Sequence, residues 1–199
     1  VLGWDQETGL PPAAVNYRAG QLAWLSGKAH ELTTSDRWRA VLEAAEAEGS
    51  DDPVVVANLR EFRHHFDRSA RLPRELVERD TESSSRGKAA WVEARRESDF
   101  SKFAPSLNNL LHIAREKAEL WGYHGEPYDA LLEEYERGSD TAEVASLFDR
   151  FRKPVAEIAR EAVENSRSTP ADLLDAHYPI EDQKVLNREI AESLGFDFE

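Results

Sequence analysis

The clearest indication of the fold class is the stretch VASLFDRFRKPVAEIAREA at residues 144–162. Its apolar residues follow one another at helical steps: Val144, Leu147, Phe148, Phe151, Val155, Ile158 and Ala162. This spacing places them on a single stripe of an α-helix, and we expect that stripe to be buried against a neighbouring element. Pro154 lies inside the stripe, and because proline removes a helical hydrogen bond, we expect a kink or a break near Arg152.

Outside this stretch the same periodicity recurs. Two further stripes consist of Val55, Leu59, Phe62 and Phe66, and of Leu107, Leu110, Leu111, Ala114, Ala118 and Trp121. Prolines that suit a first helical turn stand at Pro11, Pro12, Pro53, Pro73, Pro105, Pro127 and Pro179. Ser35 is a typical N-cap and Gly49 a typical C-terminal residue of one more helix. No alternating β-branched strand of sufficient length occurs, so the sequence predicts an all-α chain, a multi-helix array of about eight helices.

The polar segment at residues 81–87 is ambiguous between a loop and an exposed helical turn. Trp91 and Val92 follow it at helical spacing. This favours one helix that runs from Pro73 towards Glu97 with a weak middle.

Composition limits the classes of partner. The 199 residues suffice for one large domain or two small ones, and 40% of them are hydrophobic, with five Trp, five Tyr and eight Phe to fill a core. There are 39 acidic and 25 basic residues, which gives a net charge of −14. A surface this acidic repels nucleic acid and anionic membranes, which excludes both as main partners. The absence of cysteine excludes disulfides, thiolate zinc sites and thiol catalysis.

The sequence contains no recognisable targeting segment, which predicts a cytoplasmic location. No apolar run approaches the roughly 18 residues of a membrane span, and no signal peptide is apparent. The chain has no methionine and begins at Val1 inside an apolar stretch. We therefore expect it to be a piece of a longer protein, or to lack its first part.

Histidine spacing does not predict a metal site. His30 and Glu31 resemble the opening of a zincin helix, but the position of the second ligand is Thr34. Two other pairs have helical spacing, His64 with Asp67 and His112 with Glu116. A single pair does not hold zinc, and no glycine-rich phosphate loop or nucleophile elbow occurs. The residues alone predict no catalytic, metal-binding or substrate-binding residue.

The segment WDQET at residues 4–8 places two carboxylates, an amide and a hydroxyl directly before a proline-initiated helix. Asp5 or Thr8 is predicted to cap that helix. Trp4 would serve as the apolar anchor of the turn.

These residues resemble the early signature of the carboxypeptidase Taq family of zinc metallocarboxypeptidases. The first block comprises WDQET at 4–8, PP at 11–12, RA at 18–19, QLA at 21–23, LS at 25–26 and HE at 30–31. The second comprises AWVEAR at 90–95, DF at 99–100, FAP at 103–105, REKA at 115–118, GY at 122–123 and PYDALL at 127–132, and the third is GFDF at 195–198. The blocks follow the order of the family. Gly9 and Leu10 replace the expected Tyr-Met pair, and Arg137 stands where the family tends to have proline.

The resemblance implies that residues 1–199 are the N-terminal helical region of a larger helical metallopeptidase with a deep groove. They would lack the family's first helix and its zinc-binding half, because the His-Glu-x-x-His helix and the downstream Glu follow the end of this chain. No catalytic, metal or substrate-binding residue can therefore be carried over. The chain would supply scaffold and part of the groove wall. Whether Asp5, Gln6 and Glu7 line that groove or cap a helix stays open.

For the parent protein the resemblance implies a cytoplasmic homodimer that removes C-terminal residues from peptides. Its zinc would activate a water molecule, with a Glu as base. The cofactor would be zinc in the parent and none in this chain, which alone is expected to be inactive. Two alternatives remain: a non-catalytic helical binding or dimerisation module derived from the family, and an unrelated acidic helical scaffold.

Overall fold

The computed structural model describes residues 1–166 and 176–198, and the regular secondary structure within these residues is helical. They form nine α-helices, two short 3₁₀ turns and no strand, which confirms the all-α prediction. The helices are α1 (Leu2–Thr8), α2 (Val15–Thr33), α3 (Asp36–Glu48), α4 (Pro53–Ala70), α5 (Arg74–Glu97), α6 (Ala104–Trp121), α7 (Pro127–Leu132), α8 (Thr141–Glu164) and α9 (Ile180–Ser193). The 3₁₀ turns are Pro12–Ala14 and Phe100–Lys102. None of the helices in this described part combines the length and hydropathy that a membrane span needs.

Several helix ends follow from local chemistry that the sequence already shows. The Ser35 hydroxyl accepts a hydrogen bond from the Trp38 amide at 3.2 Å, and Gly49 follows α3 with φ of +69°. The Asp52 carboxylate accepts from the Val54 amide at 2.8 Å. Side-chain caps of this kind satisfy amides that have no partner inside the helix.

The helix predicted from Pro73 towards Glu97 is present as α5 and is unbroken across residues 81–87. Two members of that polar segment, Ser85 and Gly87, are buried. Small residues suit both contacts, because Ser85 donates a hydrogen bond to Gln6 of α1 and a Cβ at Gly87 would lie 3.2 Å from Leu110 of α6. The weak middle stays a prediction.

The chain divides into two compact units, Val1–Ala145 and Ser146–Glu199. In the first unit α2 packs along α5, and α5 also packs on α6. A core cluster forms where α6 meets α7, from Ala118, Trp121 and Ala130, with Leu72, Tyr123 and Leu131 against it.

The second unit has no buried residue among 146–166 and 176–198. On α8 the exposed fractions are 65% for Phe148, 55% for Phe151 and 65% for Ile158. The prediction that this stripe is buried is therefore wrong for the chain by itself, since periodicity shows which face is apolar but not what covers it.

Two local predictions need correction. The break expected near Arg152 is absent, because α8 continues through Pro154 with helical turns on both sides, whereas the kink stays a prediction. Residues 4–8 do not form a cap before the next helix, because they lie inside α1. The Thr8 hydroxyl donates instead to the Trp4 carbonyl at 2.8 Å, and no side chain caps the 3₁₀ turn that follows.

Candidate functional site

A cleft of about 780 Å³ lies in the first unit. It lies between α2, α4, α5, α6 and the segment that follows α7, and seven of its twenty lining residues are charged. A second cleft of about 760 Å³ shares His64, Arg68, Trp121 and Glu133 with it. These four side chains therefore lie where the two clefts meet.

Trp121 forms the apolar part of this surface and is 5% exposed. The Arg68 guanidinium lies 3.9 Å from its ring centroid, and the Lys117 ammonium lies 4.9 Å from it. The indole N–H donates to the Arg68 carbonyl at 3.2 Å, and Arg68 donates to the Ala130 carbonyl at 3.0 Å. Two cations on one aromatic ring are favourable because the ring face is electron-rich, so α4, α6 and α7 are joined at this point.

The charge state of Arg68 is affected by its burial and by two nearby carboxylates. Burial lowers the pKa of its guanidinium, while the carboxylates of Glu134 and Glu133 act in the opposite direction. The group stays charged at neutral pH, because an arginine is not deprotonated in a protein. Lys117 in turn bonds to Asp80 at 3.1 Å.

His64 is a titratable group of the cleft whose pKa is changed by its surroundings. Its Nε2 lies 3.8 Å from Glu133 Oε1, and Arg137 lies 3.8 Å from the same oxygen and donates to Glu61 at 2.5 Å. Burial lowers the pKa of His64, and the positive charge of Arg137 lowers it further, against the opposing effect of Glu133. His64 is therefore neutral at physiological pH.

The histidine pairs considered in the sequence do not combine into a metal site. Within residues 1–166 and 176–198 no three His, Asp or Glu side chains are grouped so that they would hold a metal ion. Asp67 faces Arg63 at 3.6 Å, and Glu31 pairs with Lys28 at 2.8 Å. These pairs therefore do not form a zinc site among the described residues.

The other histidines have separate surroundings. His112 Nδ1 hydrogen-bonds to the Asn108 carbonyl at 2.7 Å, and its helical neighbour Glu116 pairs with Arg79. His30 lines the cleft of about 780 Å³ from the last turn of α2. That no zinc ligand lies in the chain stays a prediction.

The three polar residues of the WDQET segment attach α1 to its neighbours. Asp5 accepts from Arg18 of α2 at 2.5 Å. Gln6 accepts from Ser85 of α5 at 3.2 Å, and Glu7 pairs with Lys88. Their partners are 13 or more residues away along the chain, so sequence spacing does not reveal them.

Comparison with known proteins finds one family whose model matches the whole chain. The family model for carboxypeptidase Taq (M32) metallopeptidase matches residues 1–199. The chain is 31% identical to thermostable carboxypeptidase 1 of Pyrococcus furiosus, over 92% of this chain and 36% of that protein. It is 30% identical to thermostable carboxypeptidase 1 of Thermus thermophilus, over 100% of this chain and 41% of that protein. Carboxypeptidase 1 of Bacillus subtilis is 26% identical over 100% and 40% of the two chains.

Solved structures share the fold. The crystal structure of BsuCP has a TM-score of 0.89 at 25% identity, and it covers 99% of this chain and 40% of its own. The structure of Pyrococcus furiosus carboxypeptidase has a TM-score of 0.74 at 29% identity, with the same coverage of 99% and 40%. The chain thus spans 36–41% of the length of the curated relatives it matches.

Proposed function

Since the chain belongs to the carboxypeptidase Taq (M32) family of metallopeptidases, we propose that it forms the N-terminal helical region of a zinc metallocarboxypeptidase. The whole protein would remove C-terminal residues from peptides. The observation that carries this proposal is the match of the family model to all 199 residues, together with a TM-score of 0.89 to one M32 structure. In this assignment the chain lacks the family's first helix and its zinc-binding half.

The role of this chain in such an enzyme is structural. The Arg68–Trp121–Lys117 contact joins α4 to α6, and the hydrogen bond from Arg68 to the Ala130 carbonyl adds α7. The acidic and amide side chains of α1 attach that helix to α2 and α5. The charged cleft beside Trp121 would form part of the groove wall. When bound in the parent protein, zinc would supply the activated water for hydrolysis of the peptide bond. The homodimer and the cytoplasmic location remain predictions from the family resemblance.

The proposal predicts that the isolated chain is inactive. The purified 199-residue chain is incubated with zinc and a blocked dipeptide, and release of the C-terminal amino acid is followed with and without a chelator. We expect no chelator-sensitive release, because no zinc ligand is assigned to this chain. The Thermus thermophilus relative, assayed in parallel, is the positive control. Chelator-sensitive release by the isolated chain would contradict the assignment.

A second candidate function is a non-catalytic helical module that binds a partner. It is favoured by the exposed apolar residues of α8 and α9, which suit a binding surface. The genomic reading frame distinguishes the two. A frame that continues beyond Glu199 into His-Pro-Phe and His-Glu-x-x-His supports the enzyme, whereas a stop codon there supports the module.

A further inference from the structure

We propose that the cleft of about 780 Å³ binds a small zwitterion, namely a free amino acid with an apolar side chain. Arg68 and Lys117 hold its carboxylate, and Glu133 and Glu134 hold its ammonium group. All residues that line this cleft belong to the first unit. An amino acid is also what the proposed reaction would release, but binding in the cleft does not depend on that reaction.

The carboxylate end of the site consists of two cations that converge on one aromatic ring. The Arg68 guanidinium lies 3.9 Å from the ring centroid of Trp121, and the Lys117 ammonium lies 4.9 Å from it. An arginine carries five N–H donors and a lysine three. Among the described residues, the hydrogen bonds of these two groups go to the Ala130 carbonyl and to Asp80, one from each cation. Both cations therefore have donors left for a ligand carboxylate.

The ammonium end of the site lies on the segment that follows α7. Glu133 Oε1 is 3.8 Å from His64 Nε2 and 3.8 Å from Arg137. Glu134 Oε1 is 3.9 Å from Arg68. These distances are longer than hydrogen bonds, so both oxygens can still accept from a ligand ammonium group.

The charge balance of the cleft favours a ligand that carries both charges. Among the described residues, three arginine or lysine side chains and four carboxylates line it. A ligand with only one charge would leave part of this set uncompensated, which is costly away from bulk water. A zwitterion can replace the long contact between Arg68 and Glu134 and compensate both groups. It also has no net charge, so the net charge of −14 on the chain does not repel it.

The most deeply buried residues of the cleft lining are apolar. Leu76 is 1% exposed and Trp121 is 5% exposed, and Leu72 and Val77 beside them are partly buried. An apolar side chain placed there leaves water, which the hydrophobic effect favours. The volume of the cleft also lies within the range of roughly 300–1,000 Å³ that is typical of small-molecule sites. Leucine is therefore a suitable probe.

The test is titration of the full 199-residue chain with L-leucine at neutral pH, followed by NMR of the backbone amides and the indole N–H groups. We expect saturable shifts at the Trp121 indole and at amides that line the cleft, with a Kd of about 1 mM or lower.

Three analogues test each part of the ligand on the unmodified chain. N-acetyl-L-leucine lacks the ammonium charge, and L-leucinamide lacks the carboxylate. Each should bind about tenfold more weakly than L-leucine, because charged groups of the cleft lose their partner. Glycine lacks the apolar side chain and should also bind about tenfold more weakly.

Two variants locate the ligand in the cleft. Lys117→Gln should weaken binding of L-leucine about tenfold, because it removes a cation that contacts the carboxylate. Glu134→Gln should weaken it about threefold, because this carboxylate is more exposed. Lys102→Gln, which breaks an ion pair with Glu97 outside the cleft, and Glu136→Gln, in the same segment as Glu134, are the matched controls and should leave the Kd unchanged. The amide spectrum of each variant establishes that it is folded.

Three results would overturn the proposal. One is the absence of saturable shifts with L-leucine. Another is binding of N-acetyl-L-leucine or L-leucinamide as tight as that of L-leucine, because the cleft would then not recognise both charges. The last is a Kd for Lys117→Gln and Glu134→Gln equal to that of their controls, which would place the ligand elsewhere. Peptidase activity is a separate measurement, so saturable binding supports the site even where the proposed enzymatic function fails.

Discussion

Arg18 illustrates how one side chain can attach a whole helix. Its side chain is 12% exposed and donates three hydrogen bonds, to the Leu2 carbonyl at 2.8 Å, to Asp5 at 2.5 Å and to Gln21 at 3.1 Å. Two of these acceptors belong to α1, and this helix has no buried residue of its own. Polar contacts therefore contribute much of what holds α1 in place.

Replacement of Arg18 by alanine should weaken this attachment. We expect Arg18→Ala to lower the free energy of unfolding by about 1–3 kcal/mol, because partly buried acceptors lose a charged donor. Urea denaturation gives the value, and amide exchange should accelerate in α1. Arg96→Ala is the matched control, since Arg96 is 69% exposed and bonds only to acids of its own helix, so we expect a clearly smaller loss. Equal losses in the two variants would refute this role of Arg18.

His64 gives the stability of the first unit a defined pH dependence. Its pKa in the folded state lies below the ordinary value of 6.5, mainly through burial and Arg137. The unfolded chain therefore takes up this proton at a higher pH than the folded chain. Neutral His64 therefore contributes fully to the stability of the folded state above pH 6.5. This contribution is lost as the pH falls from 6.5 through the pKa of His64 in the folded state.

His64→Gln should remove this part of the pH dependence. The loss of unfolding free energy between about pH 7 and about pH 5 should be smaller in the variant than in the unmodified chain. Arg137→Gln should raise the pKa of His64, which NMR titration of the imidazole protons measures. Arg60→Gln removes a cation from the same helix as His64 and should leave that pKa in place. A pKa that does not rise in Arg137→Gln would contradict the electrostatic explanation.

The packing of α2 on α5 depends on a glycine at the contact. A Cβ atom added at Gly27 would lie 2.7 Å from both Cγ and Cδ of Glu78, which is closer than atoms normally approach. Glu78 is itself fixed by a hydrogen bond from Arg74 at 2.7 Å. Gly20, on the same helix, has no atom within 4 Å of such a Cβ. The two glycines of α2 therefore have different roles.

Substitution of the two glycines by alanine should have opposite effects. Gly20→Ala should raise the free energy of unfolding by about 0.5–1 kcal/mol, because alanine favours the helical backbone. Gly27→Ala should lower it by about 1–3 kcal/mol, because Glu78 must be displaced. Thermal and urea denaturation of the two variants provide the comparison. A gain in stability for Gly27→Ala would show that Glu78 moves at little cost.

The whole chain combines one unit with a core and one without. In the first unit Leu76, Phe66 and Trp121 are 5% exposed or less, whereas no described residue from 146 onwards is buried. The hydrophobic effect favours burial of the exposed apolar side chains of the second unit. We therefore expect the isolated chain to self-associate.

We expect this self-association to increase with protein concentration. We also expect it to lack a fixed stoichiometry, because it would arise from contact between apolar faces and not from a specific complementary interface. Light scattering over a concentration series measures it. Phe151→Glu should reduce the association, whereas Ala156→Glu, with the same change of charge outside the apolar stripe, should not. A monomer at every concentration would contradict the expectation.

Local sequence was sufficient for the class of the fold and for much of its helix boundaries. Periodicity identified α5 through its polar middle, and Ser35, Asp52 and Gly49 marked helix ends, because caps and helical spacing act within a few residues. The order of the sequence blocks was likewise sufficient for the family. All of these signals lie within short stretches of chain.

Burial and pairing required the folded arrangement. Within one stripe of α4, Phe66 is 5% exposed and Phe62 is 47% exposed, although helical spacing predicts that both lie on the buried face. The bond from the Trp121 indole to Arg68 joins residues 53 positions apart, and Gln6 meets Ser85 across 79. The physical reason is that a side chain's environment depends on which helices approach it in space, and that approach is set by contacts between distant segments.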